Sequence, residues 1–269
     1  SNLIEINLGD GEKQYLYYDD SILLKRLSLY PYVQLGVMVL FVLIVYFALI
    51  STKKAEQNKV WVGLSKETAH QLGTPISSLM AWMDLLESSG VDPSLLSDMN
   101  KDVNRLSVIA ERFSKIGSKP EMELIYVNEV LENATEYMRR RVSDKVLITT
   151  HLPSDAEGAM VCLSLFEWVI ENLCKNAVDA MNGEGRIDVY MTSEKQQIYI
   201  DIKDTGKGIA RKNFKTVFNP GYTTKKRGWG LGLTLAKRII EDYHAGRIYV
   251  KDSEVGKGTT FRIELKRVV

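Results

Sequence analysis

One histidine, His70, stands where a helix would offer it as a nucleophile. It lies within Trp61–Leu86, beside apolar residues that recur in alternating steps of three and four, a spacing typical of a helix that packs in a bundle. Because His70 directly follows one of these apolar positions, we expect its ring at the edge of the bundle, in contact with water. Thr74 lies one helical turn further along the same face. A solvated surface histidine without a chemical role is the alternative.

Two rows of apolar residues define the helix face that would position this histidine. The second row widens the first into a face broad enough for a four-helix core rather than a two-stranded coiled coil. The first row is Val62, Ala69, Leu72, Ile76, Leu79, Met83 and Leu86, and the second is Trp61, Leu64, Trp82 and Leu85.

A second helix with the same spacing follows after a short turn. The first helix is predicted to break at Ser88–Gly90, and the next one to begin at Pro93 with Asp92 as its N-cap. One hairpin cannot bury two wide apolar faces, so the sequence predicts a dimer that forms a four-helix bundle. The apolar positions of the second helix are Leu96, Met99, Val103, Leu106, Ala110 and Phe113.

Two asparagines further along the chain have the spacing of a metal and phosphate site. Asn172 and Asn176 stand four residues apart on one face of a predicted helix whose other face is apolar. Amide oxygens are hard, neutral ligands that suit Mg²⁺, which also takes phosphate oxygens and water. A single asparagine on a helix is usually a surface residue, but this pair favours a ligand site.

Two glycine-rich stretches complete the features of a nucleotide site. Asp204–Gly208 ends a predicted strand, where the carboxylate can accept from an adenine amino group and the glycines permit close backbone approach. Gly228–Leu233 opens a predicted helix, whose backbone N–H groups can receive phosphates. Between them, the basic stretch around Lys225 could close over the phosphates. A turn and a solvated charge run are the alternatives for the first stretch and the basic stretch.

Beyond a linker at 117–120, the pattern changes to mixed strands and helices. A mixed sheet covered on one face by helices is the simplest arrangement of these elements, with Asn128 and Ser164 as predicted helix caps. The predicted strands are Glu121–Tyr126, Val146–His151, Arg186–Thr192, Gln197–Asp204, Arg247–Asp252 and Thr259–Leu265, and the predicted helices are Asn128–Arg141, Leu165–Met181 and Leu231–His244.

An apolar run near the start, Val33–Ile50, is long enough to span a membrane. Its length as a helix is about 27 Å, close to the hydrocarbon thickness. Tyr30 and Tyr32 suit a membrane interface, and Lys53 and Lys54 follow the run. A buried core helix is the alternative. Because only about twenty residues separate this run from the histidine, we expect the helix to continue into the bundle and to transmit movement directly.

Composition excludes several other classes. The chain has 269 residues and a formal net charge of +1, so nothing suggests a nucleic-acid partner. The two cysteines, Cys162 and Cys174, lie in apolar surroundings without metal-ligand spacing and are expected to be reduced core thiols.

Six motifs occur in the order and spacing of a known family. They are HQLGTP, ENLCKNAVDA, DTGKGI, NFKTVFNP, GWGLGL and GKGTTF, and they correspond to the H, N, G1, F, G2 and G3 boxes. From about residue 52 onward, the chain resembles a two-component sensor histidine kinase. The resemblance implies a dimeric HisKA-like four-helix-bundle hairpin and an α/β-sandwich ATP-binding domain of the GHKL (Bergerat) type. Together with the apolar run, this predicts an α+β protein in which a transmembrane helix leads into the hairpin. The predicted domains are an extracytoplasmic or juxtamembrane segment (1–30), the membrane helix (31–50), the phosphotransfer hairpin (51–118) and the catalytic domain (119–269).

The resemblance also implies roles for individual residues. His70 would accept the phosphoryl group from Mg²⁺-ATP, and Thr74 would orient water during dephosphorylation of a response regulator receiver domain. Asn176, assisted by Asn172, would bind Mg²⁺, and Asp204 would anchor adenine. The implied cofactor-binding set is Asn172, Lys175, Asn176, Asp179, Asp204, Gly206, Gly208, Ile209, Thr223, Thr224, Lys225, Gly228, Gly230, Leu231, Gly232, Leu233 and Thr260. A homodimer in the bacterial inner membrane, with the catalytic part in the cytoplasm, follows from the same resemblance.

The chain departs from the family pattern beside the histidine. Gln71 stands where the family usually has an acidic residue that stabilises the ring proton, and we expect Glu67, one turn earlier, to substitute for it. Gly73 and Trp229 replace a basic residue and a small hydroxyl residue. These departures leave two alternatives open, namely an ATPase of the same fold and a nucleotide-binding pseudokinase, both of which would signal by conformation.

Overall fold

The computed structural model describes residues 2–7, 13–18, 22–118, 120–225 and 230–268. The chain divides into two compact units, Ser1–Trp61 and Val62–Val269. The helices are α1 (Ile22–Ser88), α2 (Pro93–Gly117), α3 (Val127–Arg139), α4 (Leu163–Ala180) and α5 (Gly232–Arg238). The strands are β1 (Asn2–Asn7), β2 (Lys13–Tyr18), β3 (Glu123–Tyr126), β4 (Val146–His151), β5 (Gly158–Val161), β6 (Gly185–Glu194), β7 (Gln197–Asp204), β8 (Arg247–Glu254) and β9 (Gly258–Lys266).

The first unit contains a strand pair and an apolar helical segment. β1 and β2 pair antiparallel, which the sequence analysis did not predict. Within α1, Ser28–Lys53 has a mean hydropathy of 2.7 in its most apolar window, and none of that window is buried. By length and composition this segment can cross a membrane, and it contains the predicted run Val33–Ile50. Its complete exposure in the single chain speaks against the alternative of a buried core helix.

The second unit begins with a helical hairpin that has its own core. α1 ends at Ser88, Gly90 adopts a φ of +75°, and α2 begins at Pro93. Asp92 caps α2 by accepting a 2.9 Å hydrogen bond from the Ser94 N–H, as predicted. The buried residues of the hairpin core, with Leu72 packed against them, are Ile76, Met83, Val103 and Ala110.

The hairpin leaves a second apolar surface uncovered. Trp82 and Leu85 are 66% and 63% exposed, and Leu64 and Met99 also face outward. From the predicted first row, Ile76 and Met83 are buried in this core and Leu72 packs against it. Leu79 of the first row and most of the second row are exposed.

A five-stranded mixed sheet forms the larger part of this unit, in the order β4-β6-β7-β9-β8. β4 and β6 are parallel and the other pairs antiparallel, while β3 and β5 form a separate antiparallel pair. Alternate residues of the central strands are fully buried, as in a sheet with one covered face. The core residues of this layer include Phe166, Val169, Leu173, Ile187, Ile198, Ile200, Ile202 and Ile263.

Two predicted helix caps were wrong, because tertiary partners take the side chains. Asn128 lies inside α3 and bonds to the backbone of Asp155 and Glu157. Ser164 lies inside α4, where its hydroxyl accepts a 2.8 Å hydrogen bond from the Lys115 ammonium. The cap position of α4 is Cys162 instead.

The last helix and one strand also differ from expectation. The predicted helix Leu231–His244 consists of α5 followed by a π-helical turn over Ile239–Tyr243. His244 then ends this turn by donating from Nδ1 to the Ile239 carbonyl and accepting the Cys162 N–H at Nε2. The short strand β5 was not predicted.

Candidate nucleotide and phosphotransfer sites

A cavity of about 440 Å³ lies between α4, the end of β7 and the start of α5. It brings together side chains and backbone from parts of the sequence that lie far apart. The predicted residues that line it are Asn172, Lys175, Asn176, Asp179, Asp204, Gly208, Ile209, Thr223, Thr224, Lys225, Gly230, Leu231, Gly232 and Leu233.

Asp204 is the buried carboxylate of this cavity. Its side chain is held by two backbone donors, Gly206 N–H at 2.8 Å and Thr259 N–H at 3.2 Å, which both bind Oδ1. Burial raises the pKa of this carboxyl above its ordinary value, against the effect of these two hydrogen bonds. The backbone therefore fixes the orientation of a carboxylate that is only 3% exposed.

Glycine backbone forms the walls on either side of Asp204. Gly208 has a φ of +71°, and a Cβ atom there would lie 2.1 Å from the Glu254 carbonyl oxygen. Gly258 has a φ of +123°, and its Cβ would lie 1.9 Å from the Asp204 carbonyl oxygen. Both positions require glycine for conformation and for space. The loop after β7 can approach the end of β8, and the end of β7 can approach the start of β9, this closely only because these two positions carry no side chain.

The oxygens of Asn176 and Asp179 already converge on a cation. The Lys225 ammonium lies 3.0 Å from Asn176 Oδ1 and 2.5 Å from Asp179 Oδ2. Asn172 lies beside the start of α5: a Cβ atom added to Gly232 would be only 2.6 Å from the Asn172 Oδ1.

These oxygens fit a Mg²⁺ ion that is coordinated jointly by the protein, by phosphates and by water, rather than one enclosed by protein ligands alone. Oxygen ligands that accept an ammonium can also accept a hard cation, and Mg²⁺ takes its remaining positions from phosphates and water. Among the described residues, no group of three or more His, Cys, Asp or Glu side chains could hold a metal. A metal here would therefore take most of its ligands from water or from the oxygens of a bound nucleotide.

Two described residues of the predicted set do not line the cavity, and a third lies outside the described residues. Gly206 is buried beneath Asp204, to which its N–H donates. Thr260 is replaced by its neighbour Thr259, because successive side chains of a strand point to opposite faces. Gly228 lies outside the described residues, together with Lys226, Arg227 and Trp229.

Several lining residues were not predicted. Lys207 lay within the quoted DTGKGI motif, and five others lay within the remaining quoted motifs, so all six could have been selected from them. Ala210 and Tyr222 lay outside those motifs. The unpredicted lining residues are Ala180, Lys207, Ala210, Asn213, Val217, Tyr222, Thr259 and Phe261.

His70 lies on α1 in an open groove of about 870 Å³ between α1 and α2. Its side chain is exposed, as predicted, and small residues such as Gly73 and Ala110 line the groove. Glu67 lines the same groove and accepts a 2.7 Å hydrogen bond from the Gln71 amide. The Thr74 hydroxyl donates to the His70 carbonyl at 3.3 Å. The four predicted side chains of this site therefore lie within two turns of one helix.

The end of α2 packs against α4 and against the π-helical turn through contacts that the sequence analysis did not predict. Arg112 makes a bidentate ion pair with Glu171 at 2.6 and 3.0 Å, both side chains being largely buried. Phe113 meets Trp168 edge to face, and the Tyr243 hydroxyl donates to the Ile116 carbonyl. Glu171 directly precedes Asn172, so these contacts adjoin the helix that carries the predicted metal ligands.

Comparison with known proteins gives the relationships of the chain. Residues 161–269 match the family described as histidine kinase-, DNA gyrase B- and HSP90-like ATPase. Sporulation kinase A of Bacillus subtilis is 26% identical over 220 residues, covering 80% of this chain and 36% of that protein. Sensor histidine kinase ZraS of Salmonella typhimurium is 26% identical over 226 residues, covering 81% and 48%. Residues 161–269 therefore carry an ATPase domain of that family, and both of these relatives are named as kinases.

Solved structures of sensor histidine kinases share the fold. Full-length ShkA in complex with AMPPNP has a TM-score of 0.58 at 19% identity, covering 76% of this chain and 46% of that one. ThkA in complex with the response regulator TrrA has a TM-score of 0.53 at 19% identity, covering 80% and 64%. The family match over residues 161–269, together with this shared fold, makes the α/β unit a GHKL-type ATPase domain. The chain spans between 29% and 50% of the length of the four sporulation kinases it matches.

Proposed function

We propose that this chain is a membrane-anchored protein-histidine kinase. It would transfer the γ-phosphoryl group of ATP to a ring nitrogen of His70, and then pass it to an aspartate of a response regulator receiver domain. The single observation that carries the proposal is the cavity in which Asp204, Asn172 and Asn176 meet, in a chain that also presents an exposed histidine on a helical hairpin.

In this proposal the cavity binds Mg²⁺-ATP with its base against Asp204. The two backbone N–H groups hold Oδ1 of Asp204, and its Oδ2 would accept a hydrogen bond from the adenine amino group. The phosphates extend toward the start of α5, where backbone N–H groups receive them. Asn176 and Asn172 would hold Mg²⁺, which neutralises charge on the transferring phosphoryl group.

At the acceptor, Glu67 would take the proton from the His70 ring. No acidic residue follows the histidine directly, and Gln71, which occupies that position, donates to Glu67 across one helical turn. This hydrogen bond supports a role for Glu67 because it restrains the carboxylate in the groove that His70 lines. Thr74 would orient water when the kinase dephosphorylates its partner.

The hairpin would form a homodimeric four-helix bundle. The surface around Trp82 and Leu85 is apolar and exposed in the single chain, and a second hairpin is the natural cover for it. We expect the full chain in detergent to sediment as a dimer, and Trp82→Glu to sediment as a monomer. A monomeric wild-type chain would contradict this part of the proposal.

Ser28–Lys53 would anchor the protein in the bacterial inner membrane, with the ATPase domain in the cytoplasm where ATP is available. Inserting one or two residues near Lys59 would change the phase between this segment and His70. We expect such insertions to lock or abolish the kinase, and an output that ignores them would contradict direct transmission along the helix.

One labelling experiment separates the kinase from its alternatives. The full chain is incubated with Mg²⁺ and γ-labelled ATP beside its His70→Ala variant. The proposal expects a phosphoprotein that is labile in acid and stable in base, and no label in the variant. Release of inorganic phosphate without labelled protein would indicate an ATPase. Nucleotide binding without either product would indicate a pseudokinase, which the absence of an acidic residue after His70 favours.

A further inference from the structure

The hydrogen bonds of Lys225 are placed unusually for a surface lysine. Its ammonium binds the side-chain oxygens of both Asn176 and Asp179, which lie 49 and 46 residues away on α4. The adjacent Thr224 hydroxyl accepts a 2.9 Å hydrogen bond from Lys207, which follows β7. Two consecutive residues are therefore tied to different walls of the same cavity.

Asn176 is the residue that binds Mg²⁺ in the proposed function. Its Oδ1 is occupied by Lys225, while its Nδ2 is buried without a hydrogen-bond partner in the described part of the chain. An ammonium and a divalent cation compete for the same oxygen lone pairs, and they repel each other at the distance of one ligand shell. Both cations cannot occupy this position together.

We propose that Lys225 serves as an internal counterion that fills the cation position until a divalent metal displaces it. Lys225 then lowers the apparent affinity of the site for the metal, because the metal must first break the ion pair between Lys225 and Asp179. Release of Lys225 also removes one of the two ties that hold residues 224–225 across the cavity. This inference rests on the proposed function for the identity of the metal ligand.

Manganese binding to the full chain tests the proposal without any need for catalysis. The loss of the free Mn²⁺ electron paramagnetic resonance signal is followed in titrations without nucleotide. Because the Lys225–Asp179 pair is partly exposed, we expect Lys225→Met to bind Mn²⁺ about two- to fivefold more tightly than wild type. Lys225→Arg keeps the charge and should return the wild-type curve.

Lys251→Met provides a matched control for loss of a lysine that pairs with an aspartate. Lys251 lies 2.6 Å from Asp201, but Asp201 also keeps a bidentate pair with Arg262 and stays neutralised when the lysine is lost. We therefore expect Lys251→Met to bind Mn²⁺ as the wild type does.

Amine acetylation gives a second readout. We expect saturating Mn²⁺ to increase acetylation of Lys225 in the wild type, measured by mass spectrometry, while acetylation of Lys251 stays constant. Identical Mn²⁺ curves for wild type and Lys225→Met, or Lys225 acetylation that ignores Mn²⁺, would overturn the counterion role. A different result would contradict the proposed function, namely that ADP does not bind to the chain in the presence of Mn²⁺.

Discussion

The nucleotide cavity and the His70 groove are built in opposite ways. The cavity is formed by buried backbone: Asp204 is held by two N–H groups, and Gly208 leaves no room for a side chain. The groove is formed by exposed side chains on two helices, and a Cβ on Gly73 within it would meet nothing within 4 Å. One chain therefore completes the binding site, whereas the acceptor remains open to a second component.

This contrast between a buried cavity and an exposed groove suits a protein that holds the phosphoryl donor, ATP, and the acceptor, His70, at separate sites. In the proposed function, a rigid cavity would preorganise ATP, and the exposed ring would be reached in turn by the ATPase domain and by a response regulator. The following substitutions test the comparison, in order of the size of their expected effects.

The largest effect is expected at Glu67. If its carboxylate takes the ring proton, Glu67→Gln should lower the autophosphorylation rate by about 10²- to 10⁴-fold and leave ADP affinity unchanged. The matched variant Glu67→Gln/Gln71→Glu exchanges carboxylate and amide across the same hydrogen bond and should recover part of the rate. A wild-type rate in Glu67→Gln, measured by single-turnover labelling, would remove Glu67 from the reaction.

Substitution of one glycine in each region should have effects of opposite sign. Gly208→Ala places a methyl group against the Glu254 carbonyl at a positive φ, so we expect a loss of about 2–3 kcal/mol in unfolding free energy and loss of ADP binding. Gly73→Ala lies within α1 in open space and should stabilise the helix by about 0.5–1 kcal/mol. Chemical denaturation measures both variants, and a tolerated Gly208→Ala would contradict the rigid cavity.

Asp204→Asn should separate binding from stability. An amide keeps an oxygen for the backbone donors but opposes the adenine amino group, so we expect ADP affinity to fall by about tenfold or more.

The same substitution, Asp204→Asn, should not lower the stability of the fold although it weakens ADP binding. Because the pKa of Asp204 is raised in the folded protein, its ionised form lowers stability at neutral pH, and this cost disappears as the pH falls through the raised pKa toward 3.8. Thermal unfolding without nucleotide should therefore find Asp204→Asn at least as stable as wild type at pH 7, with a difference that shrinks in acid. A variant that is clearly less stable at pH 7 would contradict this assignment.

The smallest effect is expected at Cys174, which lies on the buried face of α4, the helix that also carries the two asparagines. Burial raises the pKa of this thiol to about 12, so alkylation at pH 8 should not label it in the folded protein. Labelling after unfolding in guanidinium is the control. Rapid labelling of the native chain would show that α4 opens, against the account of a rigid cavity.

The sequence predicted features whose cause is local. Asp92 before a proline specified the start of α2, and Gly90 marked the preceding turn. Asp204 and most of the glycines of the cavity were found because a strand end and a helix start carry recognisable residues. His70 was correctly expected to be exposed, because the apolar spacing defines which side of α1 is buried.

Features that depend on contacts distant in sequence were missed. Ser164 and Asn128 were taken as caps because nothing local reveals that Lys115 and the backbone of Asp155 would bind them. Thr259 rather than Thr260 faces the cavity because the register of β9 decides it. The bonds from Lys225 to α4 lie too far apart in sequence for any local pattern to predict.

The most direct test of the account is to locate the phosphoryl group. The full chain is incubated with Mg²⁺-ATP, digested at alkaline pH to preserve phosphohistidine, and sequenced by mass spectrometry beside Asp204→Asn. We predict phosphorylation on the imidazole of His70 in the wild type and about tenfold less in the variant. Phosphorylation of another residue, or an unmodified His70 while ATP is consumed, would contradict the account.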